Sequence, residues 1–366
     1  MAIKYKWLAG RLEELMENCV KCGVNKLPTE ADIAARYSVS RQTVRMALEV
    51  LKRKGLIKRR QGSGSYITGL SEKPGANVIA LLLSSDQEYI YPTVIRDVRE
   101  ALEEKGFSAE VFVTDNCVAR EREILTDLLK SPFRGIIAEG VKSALPNPNI
   151  SLYRRLMKKG CQIVFLHSRY PALNDCPAIR DDNFGGSAML VRHLWAQGHR
   201  DMGGIFKFDD AQGPERYQGF LETAAELSLT VPDSRIFWYG SDDLSRMTAE
   251  KDTGFLRRMI RGLSGCTAVV CYNDMIAYYL IRELISAGYE LPAAMAVAAF
   301  DATYLSSSDL LTVTTLSHRP REMGRAAAAA VINKLNGLPV ISQEVRWELN
   351  LKESTREVRQ TDLLRP

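Results

Sequence analysis

The apolar positions in the first part of the chain predict three short helices. Apolar residues recur at helical spacing within positions 1–17 and indicate a first amphipathic helix. A second helix is expected to open at Thr29, because Asp32 stands three positions later as in a capping box. A third helix is expected to start behind the capping residue Ser40. Its predicted buried face consists of Val44, Ala47, Leu48 and Leu51.

A hairpin is predicted directly after these helices. Two short strands, 56–60 and 65–67, flank the loop Gln61-Gly62-Ser63-Gly64. Two glycines in four residues permit a tight backbone turn that can lie against phosphates or enter a minor groove. Lys58, Arg59 and Arg60 would supply phosphate contacts, which fix position without reading sequence. The segment therefore predicts a helix-turn-helix followed by a wing.

The third helix has an outer face suited to DNA. Arg41, Gln42 and Arg45 are expected to point outward from its first turns. The N-terminal side chains of a recognition helix reach base edges in the major groove. Arginine can pair bidentately with guanine and glutamine with adenine. The simpler alternative is that these side chains are only solvated.

Charge is divided unevenly along the 366 residues. Residues 1–70 hold 14 Lys and Arg against 6 Asp and Glu, whereas the remainder holds 35 against 38. A basic head on a slightly acidic body predicts a polyanionic partner for the head alone. The length also favours more than one domain.

From Val78 onward, short apolar runs alternate with amphipathic stretches over about 260 residues, which predicts mostly parallel sheets covered by helices on both faces. Two such sheets explain the length better than one. The predicted strands are 78–83, 109–113, 135–138, 162–166, 202–206, 235–239, 267–271, 296–300 and 313–316, with a short strand ending at Arg180. The predicted helices are 92–105, 119–130, 150–159, 184–197, 214–227, 245–262, 274–287 and 320–336.

Polar side chains follow many of these strands. Ligands of open α/β sheets bind beyond the carboxyl ends of the strands. Such a site would suit a polyhydroxylated ligand such as a sugar, because it brings together carboxylates, an amide, a guanidinium and an ammonium. Each sugar hydroxyl can both donate and accept a hydrogen bond. Each residue alone could instead cap a helix. The candidates are Tyr91, Glu139, Arg169, Asp182, Lys207, Arg216, Asn273, Asp274 and Asp301.

The head resembles the GntR-type winged helix across about residues 3–68. The matching segments are Leu27 to Glu30, Ser40 to Arg45, Leu56-Ile57 and Arg60 to Ile67. The resemblance implies sequence-specific binding to a double-stranded DNA operator. Glu30 has a second interpretation, because carboxylates in the first turn also favour a helix N-terminus. The resemblance implies DNA-binding roles for Glu30, Arg41, Arg45 and Gly62. The full predicted set of DNA-binding residues is Glu30, Ser40, Arg41, Gln42, Thr43, Arg45, Arg60, Gln61 and Gly62.

The body resembles the effector domain of LacI/GalR-type repressors and the related periplasmic sugar-binding proteins. The matching pieces include 182–186, 215–220, 271–274 and 299–301. This family grips a sugar through an arginine, an Asn-Asp pair and an aspartate, which implies those roles for Arg216, Asn273, Asp274 and Asp301. Where many members continue with a second aspartate, this chain has Ala302.

The combination of both halves resembles the bacterial arabinose repressors. Glu139 and Lys207 lie in segments that carry this resemblance, which adds them as implied sugar contacts. The implied fold is multidomain: a winged helix-turn-helix over 1–68, a linker over 69–77, and a two-lobed α/β periplasmic-binding-protein-like type I domain over 78–355. The implied activity is repression of carbohydrate-utilisation genes by a homodimer, relieved by L-arabinose or a related pentose.

The sequence offers little support for other classes of function. The seven cysteines are scattered, and Cys19-x-x-Cys22 has no second Cys/His pair, so neither a metal nor another cofactor is predicted. A signal peptide and a membrane span are not expected, which predicts a cytoplasmic protein and argues against an exported binding protein. A sugar-acting enzyme finds little support, because no phosphate loop or nucleophile–base pair stands out. Activation, another sugar, a sugar phosphate or a purine stay open.

Overall fold

A computed structural model describes residues 5, 7–12, 15–16, 26–53, 56–60, 64–67, 77–87, 89–130 and 133–355. The chain divides into two compact units, Met1–Asn77 and Val78–Pro366. The predicted linker over 69–77 lies outside the described residues except for Asn77.

The first unit contains the predicted helices and hairpin. Residues 7–12 and 15–16 are helical and form α1. They are followed by α2 (Glu30–Tyr37), α3 (Arg41–Arg53), β1 (Ile57–Arg60) and β2 (Gly64–Ile67). The two strands pair antiparallel, with Ile57 opposite Ile67. One apolar core joins the three helices to the hairpin, and it includes Leu8, Leu12, Met16, Ile33, Val44, Ala47, Leu48, Leu51 and Ile57.

Local hydrogen bonds explain where the helices of this unit begin. The Asp32 amide donates to Thr29 Oγ1 at 3.3 Å, and the Thr29 amide donates back to Asp32 Oδ2 at 3.1 Å. The predicted capping box is therefore present. At the start of α3, the Thr43 amide donates to Ser40 Oγ at 3.2 Å. The predicted buried face of α3 is confirmed, since its apolar residues are inaccessible to solvent.

The second unit alternates strands and helices, as predicted, and builds two six-stranded sheets. The strands are β3 (Val78–Leu83), β4 (Ser108–Val113), β5 (Gly135–Glu139), β6 (Gln162–His167), β7 (Ala178–Asp181), β8 (Met202–Lys207), β9 (Ile236–Tyr239), β10 (Ala268–Cys271), β11 (Ala296–Phe300), β12 (Thr314–Ser317), β13 (Gln343–Val345) and β14 (Glu348–Asn350). The helices are α4 (Tyr91–Glu103), α5 (Val118–Lys130), α6 (Ile150–Lys158), α7 (Asn183–Ala196), α8 (Gln212–Glu226), α9 (Ser241–Ala249), α10 (Gly254–Gly262), α11 (Asp274–Ser286) and α12 (Glu322–Leu335).

Each sheet is the centre of one lobe. The first lobe has the strand order β13-β7-β6-β5-β3-β4, and the second has β14-β12-β11-β10-β8-β9. All neighbours pair in parallel except the edge strand β14, which runs antiparallel to β12. Parallel sheets require cover on both faces, and apolar clusters lie on each side of both sheets.

The chain crosses between the two lobes at three places. It leaves the first lobe after β7, returns to it after β12, and leaves it again between β13 and β14. On its return, α12 packs on the first sheet through Met323, Ala327 and Val331. Residues at the carboxyl ends of strands from both sheets, namely β3, β5, β8, β10 and β11, line one cavity between the lobes.

Two parts of this unit differ from the sequence-based prediction. The single helix predicted over 245–262 is wrong, because Lys251 adopts a left-handed backbone with φ 57° and separates α9 from α10. Strands β13 and β14 were not predicted. No helix in the described part of the chain is long and apolar enough to cross a membrane.

Candidate functional site

A cavity of about 480 Å³ lies between the two lobes, and it is called the cleft below. The first lobe contributes Tyr91 and Glu139 to its lining, and the second contributes Lys207, Asn273 and Asp301. All five were predicted from strand ends. A cavity of this volume is typical of small-molecule sites and lies where α/β sheets bind their ligands.

Glu139 is held by three donors on its own lobe. Ser84 donates to Oε2 from its amide at 3.0 Å and from its hydroxyl at 2.7 Å. The Tyr91 hydroxyl reaches the same carboxylate at 3.1 Å. Burial, and then the Glu139 charge, raise the pKa of Tyr91 well above its usual value. Tyr91 therefore stays a protonated donor, and Glu139 faces the cleft in a fixed orientation.

Lys207 supplies the positive charge of the opposite wall. Its ammonium is buried, donates to the Asp210 carboxylate, and lies 3.5 Å from Asp209 Oδ1. Although burial opposes it, Asp210 and Asp209 raise the pKa of Lys207. The ammonium is therefore charged at neutral pH and is oriented before any ligand arrives.

Arg216 lies behind the cleft with only 1% of its surface exposed. Its Nε donates to Asn183 Oδ1 at 2.9 Å, and Nη1 donates to the carbonyl of Tyr272. Nη2 lies 3.6 Å from Asp301 Oδ1, and the guanidinium stacks 4.0 Å from the centre of the Phe300 ring. The guanidinium therefore places a positive charge beside the Asp301 carboxylate at the edge of the cleft.

Asn273 and Asp274 stand at the start of α11, and each accepts hydrogen bonds from neighbouring residues of the protein. Asn273 caps the helix by accepting from the Ile276 amide at 3.1 Å, while also lining the cleft. Asp274 Oδ2 accepts from the Thr303 amide and hydroxyl. Burial, with the neighbouring Asp301 charge second, raises the pKa of Asp274 to about 6. Asn273 therefore both caps α11 and lines the cleft.

A second charged cluster lies where the chain crosses between the lobes. Asp181, at the end of β7, binds His318 Nε2 at 2.7 Å and His167 Nδ1 at 3.1 Å. The His318 ring stacks on Trp347, with ring centres 3.7 Å apart. Although burial opposes it, the Asp181 charge raises the pKa of His167 to about 9. Because these residues lie at the ends of β6, β7, β12 and β13, the cluster joins all three crossings.

Four of the nine predicted effector residues do not line the cleft. Arg216 and Asp274 are buried behind its lining, whereas Arg169 and Asp182 are engaged by local backbone groups. Arg169 Nη1 donates to the carbonyls of Asn174 at 3.1 Å and Cys176 at 2.9 Å. Asp182 accepts from the Gly185 amide at 2.9 Å and caps α7. Both side chains follow a strand, but their local backbone partners turn them away from the ligand cavity.

Sequence reasoning missed several residues of the cleft. Tyr89, Asn116, Asp210 and Gln212 line it but were not assigned to the site. Asp210 follows Lys207 by three positions, so inspecting the residues just beyond each strand end would have found it. Tyr89 gave no such signal, because its position depends on a left-handed backbone with φ 61°.

In the first unit, the predicted recognition face of α3 is open to solvent. Arg41, Gln42 and Arg45 are exposed, as is the capping residue Ser40, whereas Thr43 is half-buried. Arg45 Nε donates to Glu30 Oε2 at 2.9 Å. Glu30 therefore touches a predicted base-reading residue in addition to its place at the α2 N-terminus.

The predicted wing residues are described only in part. Gln61 and Gly62 lie outside the described residues, and for Arg60 the structure gives the backbone within β1. Cys19 and Cys22 also lie outside them. Among the described residues, no cluster of His, Cys, Asp and Glu side chains could hold a metal ion.

Comparison with known proteins places the chain in a family. Residues 5–67 match the model for bacterial regulatory proteins of the gntR family, and residues 191–355 match a periplasmic binding protein-like domain. An arabinose metabolism transcriptional repressor of Geobacillus stearothermophilus is 32% identical over 91% of this chain and 92% of its own length. The chain belongs to this family of GntR-type transcriptional regulators.

A second relative and a solved structure are also similar to the regulator. A repressor of the same name from Halalkalibacterium halodurans is 30% identical over 91% of this regulator and 89% of the relative. A LacI-type regulator from Alkaliphilus metalliredigens, solved with D-xylulofuranose, has a TM-score of 0.64 at 20% identity and covers 76% of this chain and 99% of its own. This structural likeness supports the two-lobed fold of the regulator.

The contact between Glu30 and Arg45 gives a first prediction for the regulator. Glu30→Gln removes the charged acceptor that orients Arg45, and an exposed ion pair is worth about 0.2–1 kcal/mol. We expect the ratio of operator affinity to random-duplex affinity to fall about two- to fivefold. Fluorescence anisotropy with both duplexes measures this ratio. Random-duplex binding should not weaken, since the variant loses a negative charge near DNA.

Proposed function

We propose that this regulator represses carbohydrate-utilisation genes and leaves its operator when L-arabinose or a related pentose binds in the cleft. The observation that supports this most directly is the set of charged groups held in place around the cleft: Glu139, Lys207, Arg216, Asp274 and Asp301. Arg216 and Asp274 are buried in the wall behind the residues that line the cleft. The names of the relatives support arabinose as the sugar.

The chemistry of the cleft favours a neutral polyol. Carboxylates of Glu139, Asp210 and Asp301 line a cavity in which Lys207 is the buried cation. Sugar hydroxyls can donate to the carboxylates and accept from the ammonium. A phosphate or carboxylate on the ligand would meet several negative charges, so we propose an unphosphorylated sugar.

We propose binding without turnover. Asp274 and Asp301 are the pair that could act as acid and base, but both are engaged by fixed partners. Asp274 is held by Thr303, and Asp301 lies beside Arg216. Such partners suit a recognition site, in which the same groups bind hydroxyls and release the sugar unchanged.

We also propose that the regulator acts in the cytoplasm as a homodimer whose two heads occupy operator half-sites one helical turn, or a multiple of it, apart. Sugar closing the lobes would alter the dimer and lower operator affinity. A coupling free energy of about 1–3 kcal/mol is typical of such regulators and would lower operator affinity roughly 5- to 150-fold.

Calorimetry on the purified protein tests this proposal. L-arabinose should bind reversibly and with one heat of binding per protomer, while D-glucose and L-arabinose 5-phosphate bind at least tenfold more weakly. Adding L-arabinose should release a labelled operator duplex, and recovered sugar should be unchanged by NMR. Operator binding that ignores every sugar, or sugar consumed over time, would refute it.

A variant of the head tests the division of labour. Arg45→Ala is expected to cost about 1–3 kcal/mol in operator binding, because arginine on a recognition helix reads base edges. Sugar affinity measured by calorimetry should stay unchanged. Arg325→Ala, which removes an exposed arginine from α12, serves as the matched control. Equal losses in both variants would show that Arg45 contributes charge alone.

A further inference from the structure

Tyr89 crosses the cleft from the first lobe to the second. It follows β3, yet its hydroxyl bonds with two carboxylates of the opposite lobe. The distances are 2.8 Å to Asp274 Oδ1 and 2.7 Å to Asp301 Oδ2. Burial, and then the charges of Asp301 and Asp274, raise the pKa of Tyr89 well above its usual value. The phenol therefore stays protonated and can donate to this pair.

The backbone at Tyr89 is adapted to this contact. Its φ of 61° lies in the left-handed region, which a bulky side chain rarely adopts. A residue held in that region requires support from its surroundings. The two hydrogen bonds across the cleft supply such support, since they anchor the tip of the side chain at the far wall.

Tyr89 also stands between two cavities. It lines the cleft and an adjoining cavity of about 560 Å³ that reaches His167 and Trp347. Gln212 and Asp301 line both cavities as well. The Tyr89 ring therefore forms part of the wall between the two cavities. Its hydroxyl lies at the carboxylates of Asp274 and Asp301.

We propose that Tyr89 is a built-in competitor of the effector, whose hydroxyl occupies the Asp274–Asp301 acceptor pair until a sugar displaces it. This rests on the proposed function, which places the sugar in the cleft. A sugar with two neighbouring hydroxyls can donate one to each carboxylate, whereas the phenol has a single proton to share. A ligand that reaches only one of the two carboxylates gains too little to displace Tyr89, so the residue also selects for a vicinal diol.

The test removes only the hydroxyl. Tyr89→Phe keeps the ring and loses the competing hydrogen bond. Because hydrogen bonds to charged groups are strong, we expect sugar affinity to rise roughly 10- to 150-fold. Tyr239→Phe is the matched control, since its buried hydroxyl has no hydrogen-bond partner among the described residues, and its affinity should equal that of the wild type. Calorimetry with L-arabinose on the full chain measures all three proteins.

The outcomes separate this proposal from the assignment of the sugar. Unchanged or weaker binding by Tyr89→Phe overturns the competitor role, and weaker binding would show that the hydroxyl contacts the sugar. If L-arabinose fails to bind the wild type but another free monosaccharide binds, the effector assignment fails and the affinity ratio is measured with that sugar. If no monosaccharide binds either protein, both proposals are wrong. The sugar concentration for half-release of the operator should fall by the same factor as the calorimetric constant.

Discussion

Arg216→Met is expected to abolish the sugar response and to lower the free energy of unfolding by about 3–5 kcal/mol, the usual cost of removing one partner of a buried ion pair. The guanidinium is 1% exposed, donates to Asn183 and the Tyr272 carbonyl, and forms an ion pair with Asp301 at 3.6 Å. Methionine approximates its length but leaves these acceptors without a donor. The partly buried Asp301 carboxylate then lacks its cation, and a sugar would meet an acceptor that is no longer held in place.

Two measurements distinguish these effects. Urea unfolding reports the loss of stability, and calorimetry in conditions where the variant is folded should show sugar affinity at least about 100-fold weaker. Arg192→Met, at an exposed ion pair with Glu226, is the control and should change stability by less than about 1 kcal/mol. Sugar affinity within tenfold of the wild type in folded Arg216→Met would contradict the role of Arg216.

The strand-end rule explains why much of the cleft could be predicted from the sequence. Parallel strands bring their carboxyl ends to one edge, so Glu139, Lys207 and Asp301 meet although they are far apart in the chain. The periodicity of apolar runs is enough to locate those ends within a residue or two. These distant residues therefore meet because of the fold class, and the alternation of predicted strands and helices indicates that class.

The same rule fails where the backbone turns after a strand. His167 ends β6 in a left-handed conformation with φ 60°, and the chain then leads Arg169 toward the carbonyls of Asn174 and Cys176. At the end of β7, Asp182 is used by the first turn of α7. The pattern of residue types cannot show which polar side chain is taken by a local amide and which remains for a ligand.

Short elements and single backbone angles also escape sequence reasoning. Strands β13 and β14 have three residues each, too few to display a period, and they are defined by pairing with β7 and β12. α9 ends at Ala249, and Lys251 adopts a left-handed backbone between α9 and α10 in a stretch whose sequence continues a helical pattern. Such features are decided by tertiary contacts, which outweigh local preference.

Asp274→Asn is expected to weaken sugar binding roughly 10- to 150-fold, because an amide replaces the charged group that we propose as an acceptor of the sugar hydroxyls. Burial, together with Asp301, raises the pKa of Asp274 to about 6. Protonation at low pH should therefore imitate the substitution. Wild-type affinity is expected to fall about tenfold for each pH unit below 6 until it reaches that of Asp274→Asn, whose own affinity should vary little in that range.

The same substitution should stabilise the folded protein at pH 7. The folded-state pKa of Asp274 lies above its ordinary value of 3.8, so the folded state binds the proton more tightly than the unfolded state. Stability from this group is thus present at low pH and is lost as the pH rises from about 4 to 6. Asparagine removes that loss, and we expect a gain of up to about 3 kcal/mol at pH 7 and less than about 1 kcal/mol at pH 4. Asp309→Asn, at an exposed position, is the control for urea unfolding at both pH values.

A variant that binds sugar poorly but unfolds at a higher urea concentration would show that recognition at Asp274 is maintained at the expense of stability. Equal or lower stability at pH 7 would mean that Thr303 and Tyr89 already offset the burial of the charge.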